Sequence, residues 1–412
     1  MEKFRHFGDA ATGIHPFTAA TAAAAPTVSR IRAACAFPPR LLLSAVFVLL
    51  LFVTDTLLWV CHVTHLGLLG RFLFAPLQRA CLRGLLFAIG HILPEKSTPA
   101  VKPQKGGEAD SSSRAVRAGD LVVCNLQSVW DALVLEVMLA QPYHAVCFPD
   151  ATTAADIDAT SPRKNATVPG LRVFWPGPMQ RWRVWAHTRR TGTLAFLAAQ
   201  HPDSIAQQAI RSKTETAELP LHRVQEAAAR AGVPVWWFGE GTCSNGRGLL
   251  LMPAVTCMSA AASDASAGCL VHLATIQYDS PALQNVLGSD LEGLLMVLFR
   301  TGLPLHGSMA PAWTSPLFPT AEVTFRSARL ARAAPLAVVG STSTSMKSLW
   351  TLSTPALLEL RHTMCQRGQA LVMSSSAASV RRQPLSVGLK EKKGFIEAYH
   401  AMLDSHKAQQ SA

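Results

Sequence analysis

Two short segments carry the residue types from which a reactive site is built. In Val233-Pro234-Val235-Trp236-Trp237-Phe238-Gly239-Glu240-Gly241-Thr242-Cys243-Ser244-Asn245-Gly246-Arg247-Gly248, an apolar run delivers a carboxylate, then small residues, then an arginine. Gly241, Gly246 and Gly248 let the backbone turn tightly against a ligand, and Thr242, Ser244 and backbone N–H groups can donate to phosphate oxygens. Arg247 can grip a phosphate with two parallel bonds. The chemistry this predicts is recognition of a phosphorylated acceptor, against the plainer alternative of a Gly-rich loop with a solvated arginine. The other segment, Asn125-Leu126-Gln127-Ser128-Val129-Trp130-Asp131, is a polar loop that places Asp131 on the first turn of a helix.

The elements that must hold these loops alternate in type. Leu121 to Cys124, Val233 to Phe238 and Leu270 to Tyr278 are short β-rich apolar runs and predict strands. Val129 to Ala140 and Leu221 to Ala231 have helical spacing. Such alternation predicts an α/β domain with helices packed on a sheet.

Ahead of that domain, residues 41–61 form a nearly unbroken apolar stretch interrupted by Asp55, the length a helix needs to cross a bilayer. Residues 66–93 are also apolar, but Arg71, Arg79 and Arg83 share part of one helical face and Pro76 predicts a kink. This second segment either returns as a hairpin or lies flat in the headgroup zone. Lys3, Arg5, Arg30, Arg32 and Arg40 precede the first span, which predicts a cytosolic N-terminus, and a hairpin would keep the main domain cytosolic too. The division expected is a disordered leader over 1–40, a membrane anchor over 41–93, a linker over 94–118 and a domain over 119–412, with a polar surface insertion near 149–168 and an amphipathic closing helix near 388–406.

With +12 net charge and a hydrophobic share of 49%, the chain suits anionic partners such as phospholipid surfaces, phosphorylated substrates or acyl-CoA. Nucleic acid is disfavoured beside a membrane span, although Arg172, Arg181, Arg183, Arg189 and Arg190 interleave with Trp175, Trp182 and Trp185. That stretch reads either as a phosphate or headgroup site or as a basic surface lying on the membrane. Nine scattered cysteines without a C-x-x-C pair suit a reducing compartment with neither zinc nor disulfides. The sequon Asn165-Ala166-Thr167 would be silent there.

Phe238 to Gly248 resembles the F-P-E-G-T-x-S-x-G-R-G phosphate block of the lysophosphatidic acid acyltransferases, with Gly239 in place of the proline. Asn125 to Asp131 is similar to that family's upstream N-H-x-S-x-x-D motif, Leu270 to Tyr278 resembles its later strand, and the Lys390 to Met402 region resembles the closing helix of fungal members of the endoplasmic reticulum and lipid droplets. The resemblance covers residues 117–280 firmly. It implies a glycerolipid acyltransferase-like mixed sheet flanked by helices, acyl-CoA as co-substrate with no tightly bound cofactor or metal, and lysophosphatidic acid as acceptor. It further implies that Glu240, Gly241, Thr242, Ser244 and Arg247 bind the substrate phosphate, that Asp131 belongs to the catalytic pair, and that the protein resides at the endoplasmic reticulum membrane or on lipid droplets, facing the cytosol.

Leu126 occupies the position of the family's histidine, the general base that the aspartate orients. A leucine cannot accept a proton. No histidine stands five positions ahead of an aspartate, with four residues between, as the motif requires: His144 with Asp150 is one residue too long and His400 with Asp404 one too short. His144 and His272 could approach only through the fold. Two functions therefore stand: an acyltransferase with impaired or rerouted chemistry, and a catalytically inactive lipid- or acyl-CoA-binding protein of the same fold.

Overall fold

The structure is a computed structural model that describes residues 27–64, 70–89, 92–97, 115–139, 143–149, 171–191, 221–243, 248–259, 269–278, 320–330, 333–335, 349–365 and 383–387, together with 6–12, 14, 16, 66, 394, 395, 398 and 405. The insertion near 149–168, the sequon, and most of the closing helix lie outside the described residues.

The chain begins with helix α1 (Thr27–Val63), a π-turn at Gly70–Phe74 and helix α2 (Ala75–Ile89). Strand β1 (Ile92–Ser97) leads to β2 (Leu121–Cys124), α3 (Asp131–Leu139), β3 (Ala145–Pro149), β4 (Leu171–Phe174), α4 (Gln180–Thr191), α5 (Leu221–Arg230) and β5 (Val235–Phe238). There follow β6 (Gly248–Leu249), β7 (Val255–Met258), β8 (Cys269–Tyr278), β9 (Thr320–Leu330), β10 (Ala334–Pro335), β11 (Leu349–Leu352), α6 (Thr354–Cys365) and β12 (Gln383–Pro384).

A seven-stranded mixed sheet in the order β1-β9-β8-β2-β5-β3-β4 forms the centre. Strands β8, β2, β5 and β3 run parallel, while β4 is antiparallel to β3 and β9 to β8, with β1 parallel to β9 at the margin. The central strands LVVC and VWWF are buried on both faces, which is why they read as unbroken apolar runs. Alternate residues serve two cores. Val122, Cys124, Trp236 and Phe238 pack beneath the α1–α2 pair, α3 and α4, whereas Leu121, Val123, Val235 and Trp237 pack against α5, α6, β7 and β11.

Helix α2 turns back on α1. Gly70 lies beside Cys61, Gln78 donates to Asp55 at 2.7 Å, and a Cβ at Gly84 would stand 2.2 Å from the Phe47 ring, so the two helices run antiparallel away from one turn. The two helices therefore pack side by side as an antiparallel pair. Residues Phe37–Cys61 of α1 are long and apolar enough to cross a membrane. Pro76 is the second residue of α2, directly after the π-turn of Gly70–Phe74, so the helical geometry changes beside it.

Two boundary expectations depart from the structure. The supposed linker starts too early, since residues 92–97 form β1, paired parallel with β9. The leader expected to be disordered contains an ordered anchor: Asp9 is buried, accepts the Ser386 N–H at 2.8 Å and bonds the Ser386 hydroxyl, while Phe7 and Ile14 pack on Leu250, Leu385, Val387 and Phe395. Leader residues from Thr27 onward are already helical.

Candidate functional site

Parallel neighbours β2 and β5 end at the same edge of the sheet, with Cys124 level with Phe238. The polar loop after β2 and the Glu240 loop after β5 therefore emerge side by side, where ligands bind open α/β sheets. The Leu126 N–H donates to Glu240 Oε2 at 2.6 Å, and the Leu250 N–H donates to Oε1 at 2.7 Å. Glu240 is buried, so its carboxylate ties the two segments together and to the chain beyond the Gly-rich loop. Gly241 turns that loop with φ +67°, a conformation side chains disfavour. Thr242 and Cys243 are buried beside it. Ser244 and Arg247 lie outside the described residues.

Asp131 heads α3, where its negative charge suits the helix N-terminus. Its Oδ2 accepts the Gln127 N–H at 2.5 Å and the Ser128 N–H at 3.1 Å, and its Oδ1 accepts the Tyr278 hydroxyl. Asn125 clasps the backbone of Ile276 through bonds of 3.0 and 2.7 Å. Gln127 Nε2 donates to the same carbonyl at 2.9 Å, which leaves the buried Gln127 Oε1 without a partner among the described residues. Burial, the Asp131 charge and the bond to Asp131 push the Tyr278 phenol well above its usual range, so it stays a proton donor. Burial, then the Asp131 charge, likewise hold the Cys124 thiol protonated.

Leu126 turns its side chain into the core beneath α3, 1% exposed. Neither candidate histidine replaces the base. His272 pairs with Val122 near the start of β2, four residues before Ile276 on β8, about 13 Å back along the strand. His144 precedes β3, stacks on Trp236 with centroids 3.6 Å apart, and lies 3.5 Å from Glu136. Both sit toward the opposite edge of the sheet from Asp131.

The described side chains of the Arg/Trp stretch turn largely inward. Arg181 is buried and bonds Glu136 at 2.7 Å and Asp55 of α1. Arg172 lies 3.4 Å from His187, Trp182 and Trp185 pack against the core, and Arg183 alone of these arginines is exposed among the described side chains. The side chains of Arg189 and Arg190 are not among those described. Beside the Asp55–Arg181–Glu136 cluster is a cavity of about 20 Å³, also lined by Trp59, Gln78 and Tyr143, with room for a water.

Sequence reasoning missed Arg361. From α6 it donates to the Leu249 and Leu385 carbonyls, and its charge offsets Glu240. The available signal was an arginine set among the apolar residues Ala356, Leu357 and Leu360 of a helical pattern. Among the described residues no group of His, Cys, Asp and Glu could hold a metal ion. No family model, no curated protein and no solved structure matches the chain.

Proposed function

We propose that this chain handles lysophospholipid and acyl-CoA in the manner of the glycerolipid acyltransferases, moving an acyl group to lysophosphatidic acid at a membrane surface of the endoplasmic reticulum or lipid droplets, with its main domain in the cytosol. The observation that carries this reading is the bond from the Leu126 N–H to Glu240, which brings the two motif-bearing loops into contact across adjacent strand ends. With leucine at position 126, rate enhancement has to come from orienting the acceptor hydroxyl and the thioester rather than from an imidazole base. Gln127 Oε1 is a buried acceptor beside Asp131 on which that hydroxyl could rest.

A second reading, a non-catalytic lipid- or acyl-CoA-binding protein, is favoured by the occupation of both Asp131 oxygens and by the inward turn of Leu126. Labelled oleoyl-CoA and lysophosphatidic acid, given to purified wild type and Leu126→His, separate the two. The transferase reading expects wild-type turnover, a rise of about 10²-fold or more with the imidazole restored, and a raised KM in Arg247→Ala. Silence in both proteins with lysophosphatidic acid still bound would sink transfer and leave the binder.

A further inference from the structure

Away from those loops, at the start of β8, three side chains from separate segments form a line. Ser327 of β9 faces His272 directly across the antiparallel ladder, and its Oγ lies 3.0 Å from His272 Nδ1. On the other side of the ring, His272 Nε2 lies 3.4 Å from Asp120 Oδ2. Asp120 is itself fixed by the Arg117 N–H at 2.8 Å, and the imidazole is fully buried and stacked on Phe325 at 15°.

The acid decides the tautomer. An ionised carboxylate can only accept, so Nε2 carries the hydrogen and Nδ1 of the neutral ring is left as an acceptor. The Ser327 hydroxyl then donates to Nδ1. A hydroxyl hydrogen-bonded to a base whose far side is oriented by a carboxylate is the arrangement that activates a serine nucleophile, whatever the chain order or fold. Ser327 is half-buried, whereas the ring and the acid are shielded, so the serine is the least enclosed of the three residues.

We propose that Ser327, His272 and Asp120 form a second reactive centre in which Ser327 takes an acyl group from an activated ester or thioester. For a thioester, the Oγ–C bond forms as the C–S bond breaks, the hydroxyl proton passes to His272 Nδ1, and from there it goes to the departing thiolate. Water then attacks the serine ester and loses its proton to Nδ1; the C–Oγ bond breaks, the proton returns to Oγ, and free acid leaves. His272 is the base at each step, and Asp120 is a positioning residue that holds its tautomer. The centre is independent of the phosphate-loop reading, because it lies at the other edge of the sheet and uses none of its residues.

A fluorophosphonate probe tests it without any lipid, since phosphorus bonds to an activated serine oxygen with loss of fluoride. The native wild type is expected to acquire one adduct at Ser327, located by peptide mass, at least about 10²-fold faster than the urea-unfolded chain. Ser327→Ala is expected to lose that adduct, and His272→Asn with wild-type melting to fall to the unfolded-chain rate. Native protein that labels Ser327 no faster than the unfolded chain overturns the proposal, as does a folded His272→Asn that keeps wild-type labelling. Should His272→Asn fail to fold, the native-against-unfolded comparison decides by itself.

Discussion

Glu240 accepts from two backbone N–H groups 114 and 10 residues away, and Arg361 supplies the compensating charge. Hydrogen bonds to a buried charge contribute about 1.5–3 kcal/mol each, and an amide cannot accept with both its heavy atoms. Glu240→Gln should therefore lower stability by about 2–4 kcal/mol, read as a shifted denaturant midpoint, before any effect on ligand is considered. Tyr278→Phe removes a donor from Asp131 and should destabilise by about 1–3 kcal/mol on the same measurement. Glu240 was legible in the sequence because it follows a buried-strand pattern and opens a Gly-rich loop. Its structural duty was not, since that duty depends on which strands become neighbours. Leu126 shows the reverse case: a leucine at the position where the similar motif has a histidine was plain from one residue type, and the fold adds that neither His144 nor His272 approaches Asp131.

Helix α1 is tied to the α/β domain through Asp55, which reads in sequence as a blemish in an apolar run and in the fold as half of a pair with Arg181. Arg181 stands 126 residues further on, beyond the reach of periodicity or spacing. Removing it leaves two buried carboxylates facing each other, so Arg181→Met should destabilise by about 3–5 kcal/mol and loosen α1 from α3 and α4, seen as faster proteolysis between them. Glu136 adds a pH dependence. Burial pushes its carboxyl up, Arg181 pulls it down, and Asp55 pushes it up again, with the result at about 7. Its folded form retains a proton that the unfolded chain releases near 4.5, so its contribution to stability is full below that value and falls as pH rises toward 7. Across that interval the loss is about 3 kcal/mol. Glu136→Gln should gain on the wild type by about that amount between the two ends of the range, measured in detergent as the difference of unfolding free energies.

The hairpin presents an apolar flank that no described residue covers: Leu42, Leu49, Phe52, Val53, Val60 and Phe72 are exposed, while Leu51, Leu58, Leu82 and Leu85 face inward. A patch of that extent is the mark of a lipid or partner surface. Flotation with phospholipid vesicles is expected for the whole chain and should weaken strongly when Leu42, Leu49, Phe52 and Val53 are all serine. At this scale the sheet's centre was legible from its buried runs, but its margin was not. Residues 92–97, ILPEKS, carry the Pro, Lys, Glu and Ser of a linker, and only pairing with a strand more than two hundred residues later makes them β1. The contact between Asp9 and Ser386, 377 residues apart, has a consequence for biosynthesis. At a ribosomal pace of about 5–20 residues per second, the leader waits roughly 20–75 s for its seat to be translated. During that interval its aspartate stays in water and Leu250 lacks its cover, so nascent chains stalled before residue 386 should be open to protease at the leader and closed once release allows both ends to meet.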